Sequence, residues 1–380
     1  MAREAGVSRI AYRVSLVALH REDARAGAAR LTQAGLGSRV SGLGSRYAGH
    51  RRFPPGIHKR RPVRPADEAT RRRTLGRRHS CSQSGVNMKI IGVVGLGNMG
   101  SGMALSLQRG GFTVLGFDPS PAAGAALADA GIGLRASVAE LAREADALVL
   151  SLPTSQIVEA VVNGAEGIAA NGRDGLIVID TSTADPESTR ALAAVLRGKG
   201  IALVDAPVSG GPKGALNGAL TMVLGGSAQD IARVEPVLAA LSAKRVHIGD
   251  VGAGHVTKLI NNLMCAAHLV VAGEAMRLAE AAGVAPEQVL EGLNAGSGRS
   301  GVTQTNYPTW ILNDAFDSGF TMKLMRKDVR LAMALAAQTG VLATGPLSAE
   351  VGRLWAASAA TVGDDEDFNR IVQFIEPGRA

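Results

Sequence analysis

Residues 90–100 read Ile-Ile-Gly-Val-Val-Gly-Leu-Gly-Asn-Met-Gly, and residues 113–118 read Thr-Val-Leu-Gly-Phe-Asp. The apolar run Ile90–Val94 has the composition of a buried strand. It feeds a G-x-G-x-x-G turn made by Gly95, Gly97 and Gly100. A helical pattern follows at Met103, Leu105 and Leu107, then a second apolar run, Val114–Phe117, ending in Asp118. Strand, glycine turn, helix, strand and terminal acid in that order predict a βαβ dinucleotide-binding unit. Gly95 allows the tight turn, Gly97 lets backbone approach a pyrophosphate, and Gly100 lets the helix lie close, its N-terminus facing the negative charge. Asp118 stands 23 residues after Gly95, placed to accept hydrogen bonds from a ribose diol. The same carboxylate repels a 2′-phosphate, so NAD is expected rather than NADP.

The chain has 380 residues and a formal charge of +8, divided unevenly. Residues 1–87 hold 19 Lys+Arg against 5 Asp+Glu, a net +14, while 88–380 carry 22 against 28, a net −6. The first segment is rich in Arg, Gly, Ser and Pro without sustained apolar periodicity, a composition expected to be disordered. It reads as a basic extension ahead of the true start at Met88, as an Arg-rich transit segment, or as an arm for an anionic partner. The first of these is the favoured expectation. It gives a cytoplasmic protein, and the second a mitochondrial-matrix one. No run of roughly 18 apolar residues is present, so no transmembrane helix is expected. Two cysteines, Cys81 and Cys265, cannot build a disulfide framework or a zinc site.

Between 88 and 250, apolar runs at Ala147–Leu152, Leu176–Asp180 and Ile201–Asp205 alternate with helical stretches, with Ala219–Gly225 and Val246–Ile248 as later strands. Such alternation predicts a largely parallel sheet covered by helices. From His255 to Ala282 a proline-free helical run spans roughly 40 Å, long enough to join two domains. Everything beyond it reads as helix. The expected organisation is an α/β Rossmann domain over 88–250 and an all-α substrate and oligomerisation domain over 251–380.

Three further patches carry chemistry. Asp205-Ala-Pro-Val-Ser209-Gly210-Gly211 follows a strand, and its hydroxyl and backbone N–H groups suit a carboxylate. Gly252-x-Gly254-x-x-x-Lys258-x-x-Asn261-Asn262 opens the long helix and puts Lys258 and the asparagines on one face. Leu259, Ile260, Leu263 and Met264 give that segment an interior look, and a lysine so placed has a lowered pKa, suited to moving a proton. The third, Lys327-Asp328, begins another helix. Leu152-Pro153-Thr154 and Thr181-Ser182-Thr183 end strands where loops line a Rossmann cleft. Met99, Met264 and Met276 read as core filler.

In joint order and spacing, Gly-Leu-Gly-Asn-Met-Gly at 95–100, Asp-Ala-Pro-Val-Ser-Gly-Gly at 205–211, Gly-Ala-Gly-x-x-x-Lys-x-x-Asn-Asn at 252–262 and Lys-Asp at 327–328 resemble the β-hydroxyacid dehydrogenase family. The resemblance covers 88–380. It implies an NAD-dependent oxidoreductase acting on a small carboxylate substrate, assembled as a homodimer or homotetramer. Carried over by motif, Lys258 is the general acid/base, Ser209, Gly210 and Gly211 grip the carboxylate, and Asn262 orients the substrate. Gly95, Leu96, Gly97, Asn98, Met99, Gly100, Asp118, Leu152, Pro153, Thr183 and Lys327 contact the cofactor, and no metal is involved. Glu366-Asp367-Phe368 and Gln373-Phe374 are similar to the tail of 3-hydroxyisobutyrate dehydrogenases, with tartronate semialdehyde or another short-chain semialdehyde as the alternative substrate. Imine reductases share the fold but typically lack a lysine at position 258. A non-catalytic nucleic-acid-binding module is permitted by the basic segment, yet leaves Ser209, Lys258 and Asn262 without a purpose.

Overall fold

The computed structural model describes residues 88–341 and 345–375. The expectations for residues 1–87 lie outside the described residues. The first half alternates strands and helices: β1 (Ile90–Val94), α1 (Asn98–Arg109), β2 (Thr113–Phe117), α2 (Pro121–Asp129), β3 (Gly133–Leu134), α3 (Val138–Glu144), β4 (Ala147–Leu150), α4 (Ser155–Asn163), α5 (Ile168–Asn171), β5 (Ile177–Asp180), α6 (Pro186–Arg197) and β6 (Ala202–Asp205). These six strands are parallel, in the order β3-β2-β1-β4-β5-β6. That order reverses between β1 and β4, and a crevice at the carboxyl ends of the strands is where such sheets bind ligands.

Then follow β7 (Val208–Ser209), α7 (Gly211–Leu216), β8 (Leu220–Gly225), α8 (Ala228–Leu241) and β9 (Ser242–Gly249). Strand β8 runs antiparallel to β6 and β7, and β9 runs parallel to β8. Both faces of the sheet are apolar because successive side chains alternate. Val149, Ile177 and Ile179 join Met103, Leu107, Val237 and Leu241 on one side, while Leu148, Leu150 and Val178 join Leu141, Leu192 and Leu196 on the other.

Helix α9 (Ala253–Ala281) leaves the sheet and forms the axis of a helical region containing α10 (Pro286–Ala295), a π-helix (Val302–Ile311), α11 (Met322–Gln338) and α12 (Pro346–Ala357). Ala266, Leu269, Met276, Tyr307, Met325, Val329 and Trp355 form its core. The Trp355 indole N–H donates to the Ala266 carbonyl at 3.2 Å. Among the described residues, α9 is the one helix long and apolar enough to cross a membrane. Here it is the spine of this helical core. Its start departs from expectation in one respect. Leu259 is buried, but Ile260 and Met264 are 50% and 54% exposed, so Met264 is not core filler. The heptad arithmetic places both on the side of α9 away from Leu259 and Ala266.

Candidate active site

The glycine turn is shaped as its spacing predicts. Gly95 has φ +89°, and its N–H donates to the Phe117 carbonyl at 2.9 Å. A Cβ on Gly100 would strike the Gly95 carbonyl oxygen, so α1 begins in contact with the turn itself. A Cβ on Gly97 would meet nothing within 4 Å. Open space therefore lies over the backbone at Gly97, with Asn98 exposed beside it and Met99 half-buried. No side chain caps α1, so its first amide N–H groups are available to an anion. Leu96, by contrast, is buried and contributes its backbone. Its N–H donates to Asp118 Oδ2 at 2.8 Å, and the Ser120 N–H donates to Oδ1 at 2.8 Å. Each carboxylate oxygen keeps a second lone pair for a ribose hydroxyl. The turn thus fits a dinucleotide.

Across the cleft, the ends of β4 and β5 are bound to each other. The Leu152 N–H donates to Ser182 Oγ at 3.0 Å, and the Ser182 N–H to Asp180 Oδ1 at 3.0 Å. Pro153 is exposed and Thr183 half-buried, so both are accessible at this rim. The Thr183 carbonyl accepts a hydrogen bond from Lys327 Nζ at 2.7 Å, which ties α11 to the sheet.

The three further patches converge on the same place. Lys258 Nζ, in the second turn of α9, donates to Ser209 Oγ at 3.0 Å. Ser209 is followed by Gly210 and Gly211, with φ +127° and +62°, conformations that side chains rarely adopt. Burial lowers the Lys258 pKa below its ordinary 10.5, with Asp328 opposing the fall and Lys327 adding to it. Cys265 is pushed up to about 11 by burial, so it stays a neutral thiol. One turn beyond Lys258, the buried Asn262 amide donates to Asp328 Oδ2 at 2.6 Å. The other oxygen, Asp328 Oδ1, lies 3.0 Å from Lys327 Nζ. A fully buried carboxylate therefore stands between Asn262 and Lys327, balancing one lysine and orienting an amide. The loop before α11 closes this side. A Cβ on Gly319 would lie 3.3 Å from Pro212, and one on Gly211 would lie 3.7 Å from the Ser318 carbonyl.

Three groups that matter here were not singled out by spacing. Asp328 entered only as the neighbour of Lys327, yet it pairs with that lysine and holds the Asn262 amide. Asp205 opened the glycine-serine patch, but its buried carboxylate accepts the N–H groups of Gly252 and His255 at 2.7 and 2.9 Å. It caps α9 from the end of β6. His255 is fully buried beside them. A polar residue at a strand end, facing a Gly-x-Gly helix start, is the signal that could have found the cap.

Two family models match the chain. One, described as the NAD binding domain of 6-phosphogluconate dehydrogenase, covers residues 90–249. The other, described as NAD-binding of NADP-dependent 3-hydroxyisobutyrate dehydrogenase, covers 252–375. The chain is 35% identical over 286 residues to 2-(hydroxymethyl)glutarate dehydrogenase of Eubacterium barkeri, covering 75% of this chain and 94% of that one. It is 34% identical over 294 residues to a probable 3-hydroxyisobutyrate dehydrogenase of Mycobacterium tuberculosis, covering 76% and 98%. Among solved structures, Mycobacterium tuberculosis 3-hydroxyisobutyrate dehydrogenase with L-serine matches with a TM-score of 0.70 at 34% identity, covering 75% of this chain and 98% of that one.

Proposed function

Because the chain belongs to the β-hydroxyacid dehydrogenase family, a family of NAD-binding oxidoreductases acting on CH–OH, we propose that it interconverts 3-hydroxyisobutyrate and its semialdehyde. The observation that carries this is the 3.0 Å hydrogen bond from Lys258 to Ser209. It sets a lysine of lowered pKa against a serine and two glycines suited to a carboxylate. The compounds named for the relatives share one chemical unit. 3-Hydroxyisobutyrate, 2-(hydroxymethyl)glutarate and L-serine are all a hydroxymethyl group on the carbon next to a carboxylate. They differ only in the third substituent. A site that grips the carboxylate at 209–211 and handles the hydroxyl at Lys258 recognises that unit.

When bound, the nicotinamide cofactor supplies the hydride acceptor for oxidation. In that direction neutral Lys258 takes the hydroxyl proton of the substrate. In reduction its ammonium form polarises the carbonyl oxygen and returns the proton. Ser209 Oγ and the N–H groups of Gly210 and Gly211 hold the carboxylate, fixing the reacting carbon, which is where much of the acceleration arises. Asn262, aimed by Asp328, orients the substrate beside Lys258. The turn from Gly95 to Gly100 holds the pyrophosphate and Asp118 the ribose. Leu152, Pro153 and Thr183 line the nicotinamide side, and Lys327 neutralises charge there. Asp118 makes NAD the preferred cofactor. The exposed stripe Ile260, Met264, Val271 and Leu278 along α9 supports a homo-oligomer.

The test is NADH formation by the full chain with 3-hydroxyisobutyrate, glycerate, 2-(hydroxymethyl)glutarate and L-serine in parallel. The highest kcat/KM with 3-hydroxyisobutyrate supports the proposal. A preference for glycerate moves the substrate to tartronate semialdehyde chemistry, and inactivity with all four overturns the recognised unit.

A further inference from the structure

His255 is fully buried in the first turn of α9, and both ring nitrogens have partners. Nε2 lies 3.0 Å from the Ser182 carbonyl oxygen and Nδ1 2.8 Å from Thr189 Oγ1. A carbonyl only accepts, so Nε2 carries the proton and Nδ1 accepts from the Thr189 hydroxyl; this tautomer follows from the hydrogen-bond network. The competing acceptor for that hydroxyl, the Asp185 carbonyl, keeps the Thr189 N–H at 3.0 Å. Nothing is left unpaired when the hydroxyl turns to the ring.

The turn held in this way carries Thr183. Ser182 is tied at its N–H by Asp180, at its hydroxyl by the Leu152 N–H, and at its carbonyl by His255. The His255 backbone N–H meanwhile donates to Asp205. One residue thus touches the ends of β5 and β6 and helix α6, and it stands three positions before Lys258 on a continuous helix.

We propose that His255 is a positioning residue that locks the 181–183 turn to the first turn of α9, so that the cofactor-facing wall and the helix bearing Lys258 form one rigid piece. The proposal rests on the roles given above to Thr183 and Lys258. It acts through Ser182 and not by touching substrate.

Three variants of the full chain test it, each followed by NAD titration calorimetry, kcat and KM with 3-hydroxyisobutyrate, and thermal melting. In His255→Gln the amide can donate to Ser182 and accept from Thr189, so NAD affinity and kcat stay within about threefold of the original. His255→Leu leaves the buried Ser182 carbonyl without its donor, and NAD affinity and kcat each fall about 10-fold or more. The substrate KM moves little, because its carboxylate is held by 209–211. Thr189→Val preserves size, removes the donor to Nδ1, and gives a smaller loss of the same kind; it decides the matter if His255→Leu does not fold. A folded Leu or Val variant with original NAD affinity and kcat overturns the proposal, as does a Gln variant no better than Leu. Calorimetry needs no turnover. Failure of the Lys258 role, seen as an active Lys258→Ala chain, is therefore read separately.

Discussion

The carboxylate of Asp205 at the end of β6 receives the His255 backbone N–H at 2.9 Å, inside the first turn of α9. A second N–H, from Gly252, reaches its other oxygen at 2.7 Å. A negative charge from the sheet thereby satisfies the open donors of the helix that carries Lys258. The fit is close enough to dictate neighbours, since a Cβ on Gly254 would lie 2.6 Å from the Val223 carbonyl oxygen and 2.8 Å from Asp205 Oδ2.

Asp205→Asn keeps the shape but turns one acceptor into a donor facing an N–H. The expected loss is about 2 kcal/mol, seen as a melting temperature lower by about 4–8 °C in circular dichroism. Gly254→Ala should lower it further.

Lys258→Ala removes the proposed proton carrier while leaving the 95–100 turn intact. Turnover should fall by at least about 100-fold, with NAD affinity by calorimetry within about threefold. A variant that retained most of its turnover would remove Lys258 from the mechanism.

The lowered Lys258 pKa fixes the sign of the pH dependence. In the proposed mechanism oxidation uses the neutral amine, so its kcat/KM should rise with pH through a midpoint below the ordinary lysine value of 10.5. Reduction uses the ammonium form and falls through the same region. Asp328 holds that pKa up, so Asp328→Asn should move the midpoint of oxidation to lower pH. The rate should drop as well, because an asparagine offers one acceptor where Asn262 and Lys327 each present a donor. Rate profiles in both directions read these shifts.

Asp118→Ser removes the charge facing a 2′-phosphate along with the acceptor of the Leu96 N–H. The kcat/KM with NAD should fall about 10-fold, while the ratio of NADP to NAD use rises. Parallel assays with the two cofactors measure it.

The sheet was legible because its signals are local. The βαβ unit at 90–118 declares itself through short-range periodicity and glycines, and Lys258 and Asn262 fall on one helical face by spacing alone. What stayed hidden depends on distance. The Asp328–Asn262 pair spans 66 residues and the Asp205 cap about 50, separations that no pattern within one helix encodes. The two-residue strands β3 and β7 are too short to show a period. The π-helix, which holds Pro308, departs from the 3.6-residue repeat on which helix recognition rests. Ile260 and Met264 misled because composition gives apolar content but not which side of α9 faces inward.

The loop at 318–319 meets the Gly211–Pro212 segment, while Lys258 and its supports are fixed from the sheet and from α11. Under the proposed function, substitutions in that loop change what borders the 209–211 segment, while the Lys258–Ser209 hydrogen bond is held from α9 and the sheet.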